Sequence, residues 1–151
     1  RVRLRVEARR HLADVLRLDL GLTGTHVGCE HGVCGACTAL GDGEIVRGCL
    51  TLAASLDGAE VWTIEGLSET GRIRDLQDAF VARNALQCGF CTPAMLVTSA
   101  DLLDRDPAPS RAAIREHLSG NYCRCTGYEA IVDAVETVAA ARRGDAGRAA
   151  E

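Results

Sequence analysis

Val2, Leu4 and Val6 alternate with Arg1, Arg3, Arg5 and Glu7, the period of two that predicts a half-buried strand. Leu12, Val15 and Leu16 follow at i, i+3 and i+4, which predicts an amphipathic helix that Gly21 stops. After a loop rich in glycine and cysteine, residues 37–40 read as a strand. Asp42 and Gly43 form a hairpin turn signal, and residues 44–46 return. A second Asp-Gly pair, at 57–58, precedes residues 60–64, where Val61, Trp62 and Ile64 suit a strand and a core role. Strand, helix, loop, hairpin and strand describe a small α+β unit that ends near Gly66 and Leu67.

From Ile73 the period changes to that of helices. Leu76, Ala79 and Phe80 share one face. Met95, Leu96, Ser99, Leu102 and Leu103 stripe a second helix, ended by the connection at 106–109. Ser110 is placed to cap a third, with Ile114 and Leu118 on one side. Ile131, Ala134, Val135 and Val138 stripe a fourth at i, i+3, i+4 and i+7. The tail from Gly144 is small and polar and reads as disordered. The second half is thus a four-helix arrangement with a short connection between its second and third helices.

Composition narrows the picture. The 151 residues leave room for one domain or two small ones. Aromatic residues are 3% of the chain, so the cores must be aliphatic. A net charge of −4 gives a nucleic-acid role no electrostatic support. All 17 basic residues are arginine, which reads as compositional bias rather than function. No apolar run approaches the roughly 18 residues of a membrane span. The N-terminus does not resemble a signal peptide. A soluble, cytoplasmic protein is expected.

The cysteines carry the chemistry. Cys29, Cys34 and Cys37 are spaced C-x4-C-x2-C, and Cys49 follows after eleven residues. That is the spacing of a plant-type 2Fe–2S cluster, three thiolates on one loop and the fourth from a separate segment. Gly28, Gly32 and Gly35 can take positive φ, letting the loop curl and turn backbone N–H groups toward the cluster sulfurs. Eight cysteines in 151 residues fall below the roughly 8–10% of a disulfide-stapled chain. Zinc is the better rival, because four-cysteine zinc sites share the C-x2-C element. The C-x4-C-x2-C run is nevertheless a poor zinc knuckle, and zinc sites seldom end in C-x-C.

A second constellation comprises Cys88-x2-Cys91 and Cys123-x-Cys125, with thirty-one residues between the pairs. Thr92 can cap a helix whose first position is Pro93. Thr126 and Glu129 have the spacing of a capping box. Between the pairs, residues 93–105 and 110–119 form a helical hairpin running roughly 20 Å out and roughly 15 Å back. Both pairs then meet at one end of the bundle. Two helix N-termini aimed there favour an anionic centre by about 0.3–1 kcal/mol each, so four thiolates could hold a second 2Fe–2S cluster.

The stretches L-G-L-T-G-T-H-V-G-C-E-H-G-V-C-G-A-C (20–37), A-L-Q-C-G-F-C-T-P (85–93) and L-S-G-N-Y-C-R-C-T-G-Y (118–128) resemble the iron–sulfur small subunit of the molybdenum hydroxylases, the xanthine oxidase family. T-I-E-G-L (63–67) adds a weaker match, and the similarity extends to about Ala141. The resemblance implies an α+β chain with a β-grasp 2Fe–2S ferredoxin-like domain over 1–70, an all-α four-helix 2Fe–2S-binding domain over 71–143, and a disordered tail over 144–151. It implies that electrons pass singly from a molybdenum–pterin centre on a large subunit, through this chain, to FAD on a medium subunit. Cys88, Cys91, Cys123 and Cys125 would hold the cluster nearer molybdenum. Cys29, Cys34, Cys37 and Cys49 would hold the one nearer flavin. Gln87 matches a glutamine that contacts the pterin, although from this chain alone it is also readable as an ordinary amide bonded to nearby backbone. The family suggests a dimer of heterotrimers. Members usually begin with an extra strand ending in Asn-Gly, so here the sheet would lack an edge strand. Ala94 stands where glycine is common and Tyr122 where leucine is common.

His31 lies between Cys29 and Cys34, yet four cysteines complete that site, so His31 and His26 read as loop histidines. Arg124 sits between two cysteines and can pair with a cluster's charge or a partner's carboxylate, or simply point to solvent. Glu30 reads as surface charge and Glu129 as a helix cap. No nucleophile–base pair or phosphate loop is evident, so substrate chemistry is expected on other chains. A stand-alone ferredoxin or redox-sensing module, and a zinc-stabilised adaptor, are the other readings.

Overall fold

The computed structural model describes residues 1–148. Strand β1 (Thr38–Gly41) pairs antiparallel with β2 (Glu44–Arg47), in the register Thr38↔Arg47 to Gly41↔Glu44. The turn between them places Asp42 at φ 49° and Gly43 at φ 82°, the left-handed pair that matches the strands' twist. On its other side β1 pairs with β3 (Val61–Trp62), giving the order β2-β1-β3. All four β1 residues are buried, between its two paired neighbours and under helical packing.

Helix α1 (Leu12–Asp14) continues as a π-helical turn over Val15–Asp19. His11 Nδ1 caps it by accepting from the Asp14 N–H, and Gly21 at φ 69° ends it, as the sequence predicts. Leu12, Ala13, Val15 and Leu16 form its buried face. The predicted N-terminal strand is absent. Val2 is 63% and Leu4 43% exposed, and residues 1–10 carry no strand. An alternating pattern supplies a face, but a strand also needs to pair with a neighbouring edge. The outer edges of β2 and β3 are free, but residues 1–10 pair with neither; an isolated bridge, His11↔Leu52, is where the end of this region meets another segment. The strand predicted over 60–64 is also shorter than expected. It stops at Trp62, and Ile64 opens α2 (Ile64–Glu69), a helix with no counterpart in the sequence reading. Trp62 and Ile64 are half-buried and pack on the main core, as expected.

Four further helices follow where the apolar stripes place them: α3 (Arg74–Ala82), α4 (Thr92–Arg105), α5 (Arg111–Leu118) and α6 (Glu129–Arg148). Ser110 caps α5, its hydroxyl accepting from the Ala113 N–H at 3.1 Å. The stretch 144–148, read as disordered tail, continues α6; residues 149–151 of that tail lie outside the described residues. Helix α4 is the axis of the molecule. Every residue from Ala94 to Leu103 is buried, because the helix packs against α2, α3 and α5 and also against β1 and β2. One aliphatic core therefore runs from Leu40 on the sheet through Leu67, Leu76, Phe80, Met95 and Ile114 to Val135 on α6. Among the described residues no helix is long and apolar enough to cross a membrane.

Arg142 on α6 grips Asp75 on α3 through both oxygens, Nε to Oδ2 at 2.7 Å and Nη2 to Oδ1 at 3.0 Å. These bonds hold the Asp75 carboxyl below its ordinary range. A depressed folded-state value means that the pair stabilises the fold above the unfolded carboxylate's pKa and loses this as pH falls through the folded one. Both side chains are partly exposed, so Arg142→Ala is expected to lower the unfolding free energy by only about 0.5–1 kcal/mol at neutral pH. Urea titrations should show that penalty vanishing below the carboxylate range.

Candidate metal centres

The first cysteine set is assembled by a loop and a hairpin. Cys29 and Cys34 lie on the loop that enters β1, both half-buried, and Cys37 is buried at the foot of that strand. The hairpin returns the chain so that Cys49, just past β2, comes beside it. The Cys49 N–H donates to Cys37 Sγ at 3.4 Å, and the Gly48 N–H to the Cys37 carbonyl at 3.0 Å. Within the loop, the Cys34 N–H donates to Cys29 Sγ at 3.4 Å. The loop curls through left-handed backbone at Glu30 (φ 55°), Gly32 (φ 83°) and Gly35 (φ 71°). Gly28, expected to share that conformation, does not. Its lack of a side chain serves packing, since a Cβ there would lie 3.3 Å from Cys34 Sγ.

These donors set the electrostatics. The Cys34 N–H, with that of His31, draws the Cys29 thiol down to about 6. Burial, and then the neighbouring Cys37, push Cys49 up instead. His31 Nδ1 bonds the Cys29 carbonyl, which occupies it as a loop residue. His26 stacks on Phe90 with ring centroids 4.7 Å apart and bonds the Phe90 carbonyl at 2.7 Å.

The second set is brought together by the α4–α5 hairpin. Cys88 and Cys91 precede α4; Cys123 and Cys125 follow α5. The chain goes out along fourteen helical residues and back along eight, and the two pairs then meet. The Cys88 and Cys125 sulfurs are 3.5 Å apart. Cys91 is buried beside Cys123, and burial, with the Cys123 thiol against it, pushes Cys91 up to about 12. Thr126 Oγ1 donates to Cys123 Sγ at 3.2 Å. Cys88 and Cys125 are exposed, as are Gln87, Phe90, Tyr122 and Arg124 around them.

The helix starts differ from the sequence expectation. Thr92 is the first residue of α4, with Cys91 at the capping position and Pro93 in the first turn. Thr126 and Glu129 make no capping box. The Thr126 hydroxyl accepts from the Tyr128 N–H at 3.3 Å, and Glu129 reaches Arg115 at 2.7 Å and Arg111 at 3.0 Å. The Thr126 oxygen is taken up by the nearer Tyr128 N–H, and two arginines outbid one N–H for the carboxylate.

The two sets touch. The Tyr122 N–H donates to the Cys34 carbonyl at 2.9 Å. Asn121, 1% exposed, donates through Nδ2 to the Gly35 carbonyl and to Thr38 Oγ1, each at 3.2 Å, and accepts from Thr98 Oγ1 of α4. Arg47 of β2 bonds Thr38 and, at 2.9 Å, the Gly120 carbonyl. Gly35 is pressed so close that a Cβ would fall 2.2 Å from the Gly120 carbonyl oxygen. The sequence reading missed Asn121, Arg47, Thr38 and Thr98. Their only signal was the polar Asn121 inside a cysteine motif.

All eight thiols are free, in two groups of four, with N–H or O–H donors turned onto the sulfurs of Cys29, Cys37 and Cys123. Among the described residues no three His, Cys, Asp or Glu side chains close round a single ion position. In the second set the thiols meet in pairs, Cys88 with Cys125 and Cys91 with Cys123. Two thiolates per iron is what a binuclear iron–sulfur core requires. The residues present fit that group.

Comparison with known proteins adds the following. Residues 1–63 match the 2Fe-2S iron-sulfur cluster binding domain family, and residues 63–136 match the 2Fe-2S binding domain family. The chain is 56% identical over 130 residues to the nicotine 6-hydroxylase small subunit of Paenarthrobacter nicotinovorans, covering 86% of this chain and 78% of that protein. It is 51% identical over 137 residues to the caffeine dehydrogenase subunit gamma of Pseudomonas sp. (strain CBB1), covering 89% and 82%. Quinoline 2-oxidoreductase from Pseudomonas putida 86 superposes with a TM-score of 0.85 at 56% identity, over 92% of this chain and 88% of that one. Aldehyde oxidoreductase from Desulfovibrio gigas superposes with a TM-score of 0.87 at 46% identity, over 94% of this chain and 16% of that longer one.

Asn121→Leu leaves the buried Thr98 hydroxyl without its acceptor and takes one donor each from the Gly35 carbonyl and the Thr38 hydroxyl, which remain bonded to each other. It is expected to lower stability by about 2–3 kcal/mol in urea unfolding. Thr98→Val, which removes one donor and leaves the other two bonds, should cost clearly less.

Proposed function

Because this chain belongs to the iron–sulfur small subunits of the molybdenum hydroxylases, we infer that its two cysteine sets hold one 2Fe–2S cluster each. The chain is the electron-transfer subunit of an oxidoreductase. Cys29, Cys34, Cys37 and Cys49 ligate one cluster; Cys88, Cys91, Cys123 and Cys125 ligate the other. When bound, each cluster accepts and releases a single electron. The polypeptide supplies the thiolates, the N–H and O–H donors that tolerate their charge, and the contact that keeps the two sets adjacent.

The observation that carries this reading is the convergence of Cys88 and Cys125, 37 positions apart in sequence, with their sulfurs 3.5 Å from each other on an exposed face. The exposure of Cys88 and Cys125 beside Gln87, Phe90 and Tyr122 supports docking of the large, molybdenum–pterin subunit there, with Gln87 available to the pterin. The more enclosed first set then faces the FAD-binding medium subunit. The assembly is a dimer of heterotrimers in the cytoplasm. The architecture is a β-grasp ferredoxin domain over 1–70 and a four-helix domain over 71–143. Relatives named for nicotine, caffeine and quinoline support an N-heteroaromatic compound as the class of substrate hydroxylated on the large subunit.

The test is iron, acid-labile sulfide and EPR on the purified, anaerobically loaded chain. About four irons per chain and two distinct reduced-state signals are expected. Cys88→Ser should abolish or alter one signal and leave the other; two unchanged signals would show that Cys88 is not a ligand.

A further inference from the structure

The two sets differ in what donates to their sulfurs. In the first set the donors are backbone N–H groups, of Cys34 onto Cys29 and of Cys49 onto Cys37. In the second, a side chain joins the backbone groups: Thr126 Oγ1 lies 3.2 Å from Cys123 Sγ. Among the described residues it is the one hydroxyl bonded to any of the eight sulfurs.

The direction of that bond is fixed by its neighbours. The Tyr128 N–H donates to Thr126 Oγ1 at 3.3 Å, which occupies a lone pair of the oxygen and leaves its proton for the sulfur. The Cys123 N–H cannot replace it, because it donates to the Tyr128 phenol oxygen at 2.7 Å. Tyr128 thus clamps the turn 123–128 at both ends, through its own N–H and through its ring oxygen. The clamp is set in backbone that a tyrosine seldom adopts, φ 69° immediately after Gly127 at φ 65°. Its ring packs on the main core, and its carbonyl accepts from the Val132 N–H at 3.0 Å to start α6. A non-glycine residue persists in left-handed backbone only where its surroundings over-determine it.

Resting on the ligand reading above, we propose that the Thr126 hydroxyl sets the reduction potential of the second cluster, with Tyr128 as the residue that positions it. Reduction adds one negative charge to the cluster and its thiolates. An O–H dipole aimed at a ligand sulfur stabilises the more negative state more, and so raises the potential. Because the donor is a side chain, one substitution tunes this centre without touching a ligand. The first set has no such handle.

The experiment is an EPR-monitored redox titration of the iron-loaded full chain, comparing wild type with Thr126→Val, Thr126→Ser and Tyr128→Phe. Thr126→Val keeps the shape and removes the donor. The midpoint of one centre should fall while the other stays at its wild-type value. Thr126→Ser retains the hydroxyl and should restore the wild-type midpoint. Tyr128→Phe releases the Cys123 N–H and loosens the turn, and should shift the midpoint of that same centre alone. If Thr126→Val does not hold iron, the serine and phenylalanine variants carry the test. Equal midpoints in all variants would overturn the proposal, as would both centres moving together or serine failing to retain the wild-type value. Iron analysis of the wild type separates a deeper failure: a chain with only two irons would overturn the ligand reading, and the proposal with it.

Discussion

A single buried amide holds the two halves of this molecule in register. Asn121 joins the first cysteine loop, through Gly35, to helix α4, through Thr98, across a sequence separation of 86 residues on one side and 23 on the other. Taken out of water, an amide costs several kcal/mol unless its donors and acceptor find partners. Here each does, and only in one relative placement of loop, strand and helix. The neighbouring bonds, Tyr122 N–H to the Cys34 carbonyl and Arg47 to the Gly120 carbonyl, have the same polarity of purpose. They run from one half to the backbone of the other, where a side-chain change cannot remove the acceptor.

That contact constrains the chemistry. Burial opposes the ionisation of these thiols, and a neighbouring thiol adds to the resistance, which is why Cys91 and Cys49 are pushed up. The fold opposes this with dipoles: N–H groups in the left-handed loop around Cys29, a hydroxyl at Cys123. Bound iron supplies the remaining positive charge. The two sets differ in shelter. Cys37 and Cys49 are buried inside their loop and hairpin, whereas Cys88 and Cys125 face outward at the end of the α4–α5 hairpin. The same helix, α4, supports both, one through its N-terminus and the other through its packing on β1.

Most of the local structure could be read from residue order. The Asp42–Gly43 turn, the Ser110 cap and the stripes of α3 to α6 all stand where the pattern puts them, because each depends on neighbours within a few positions. The failures share a cause. Val2, Leu4 and Val6 have a strand's alternation, but no strand of the sheet runs beside them. Thr126 and Glu129 have a capping box's spacing, but the Tyr128 N–H and two arginines from α5 compete for their oxygens and win. Propensity proposes; whatever else the fold brings near disposes.

The sequence by itself determined that eight cysteines fall into two sets of four with unlike spacings, and that a helical hairpin must return the second set to its start. Spacing along a chain and helical rise are local quantities, so both could be computed before any fold existed. The tertiary structure alone decided how close the two sets lie, which sulfurs are sheltered, and which groups donate to them. Those depend on Asn121, Arg47, Thr126 and Tyr128 meeting partners whose identity is set by packing between separate elements, and no pattern confined to one segment encodes that meeting.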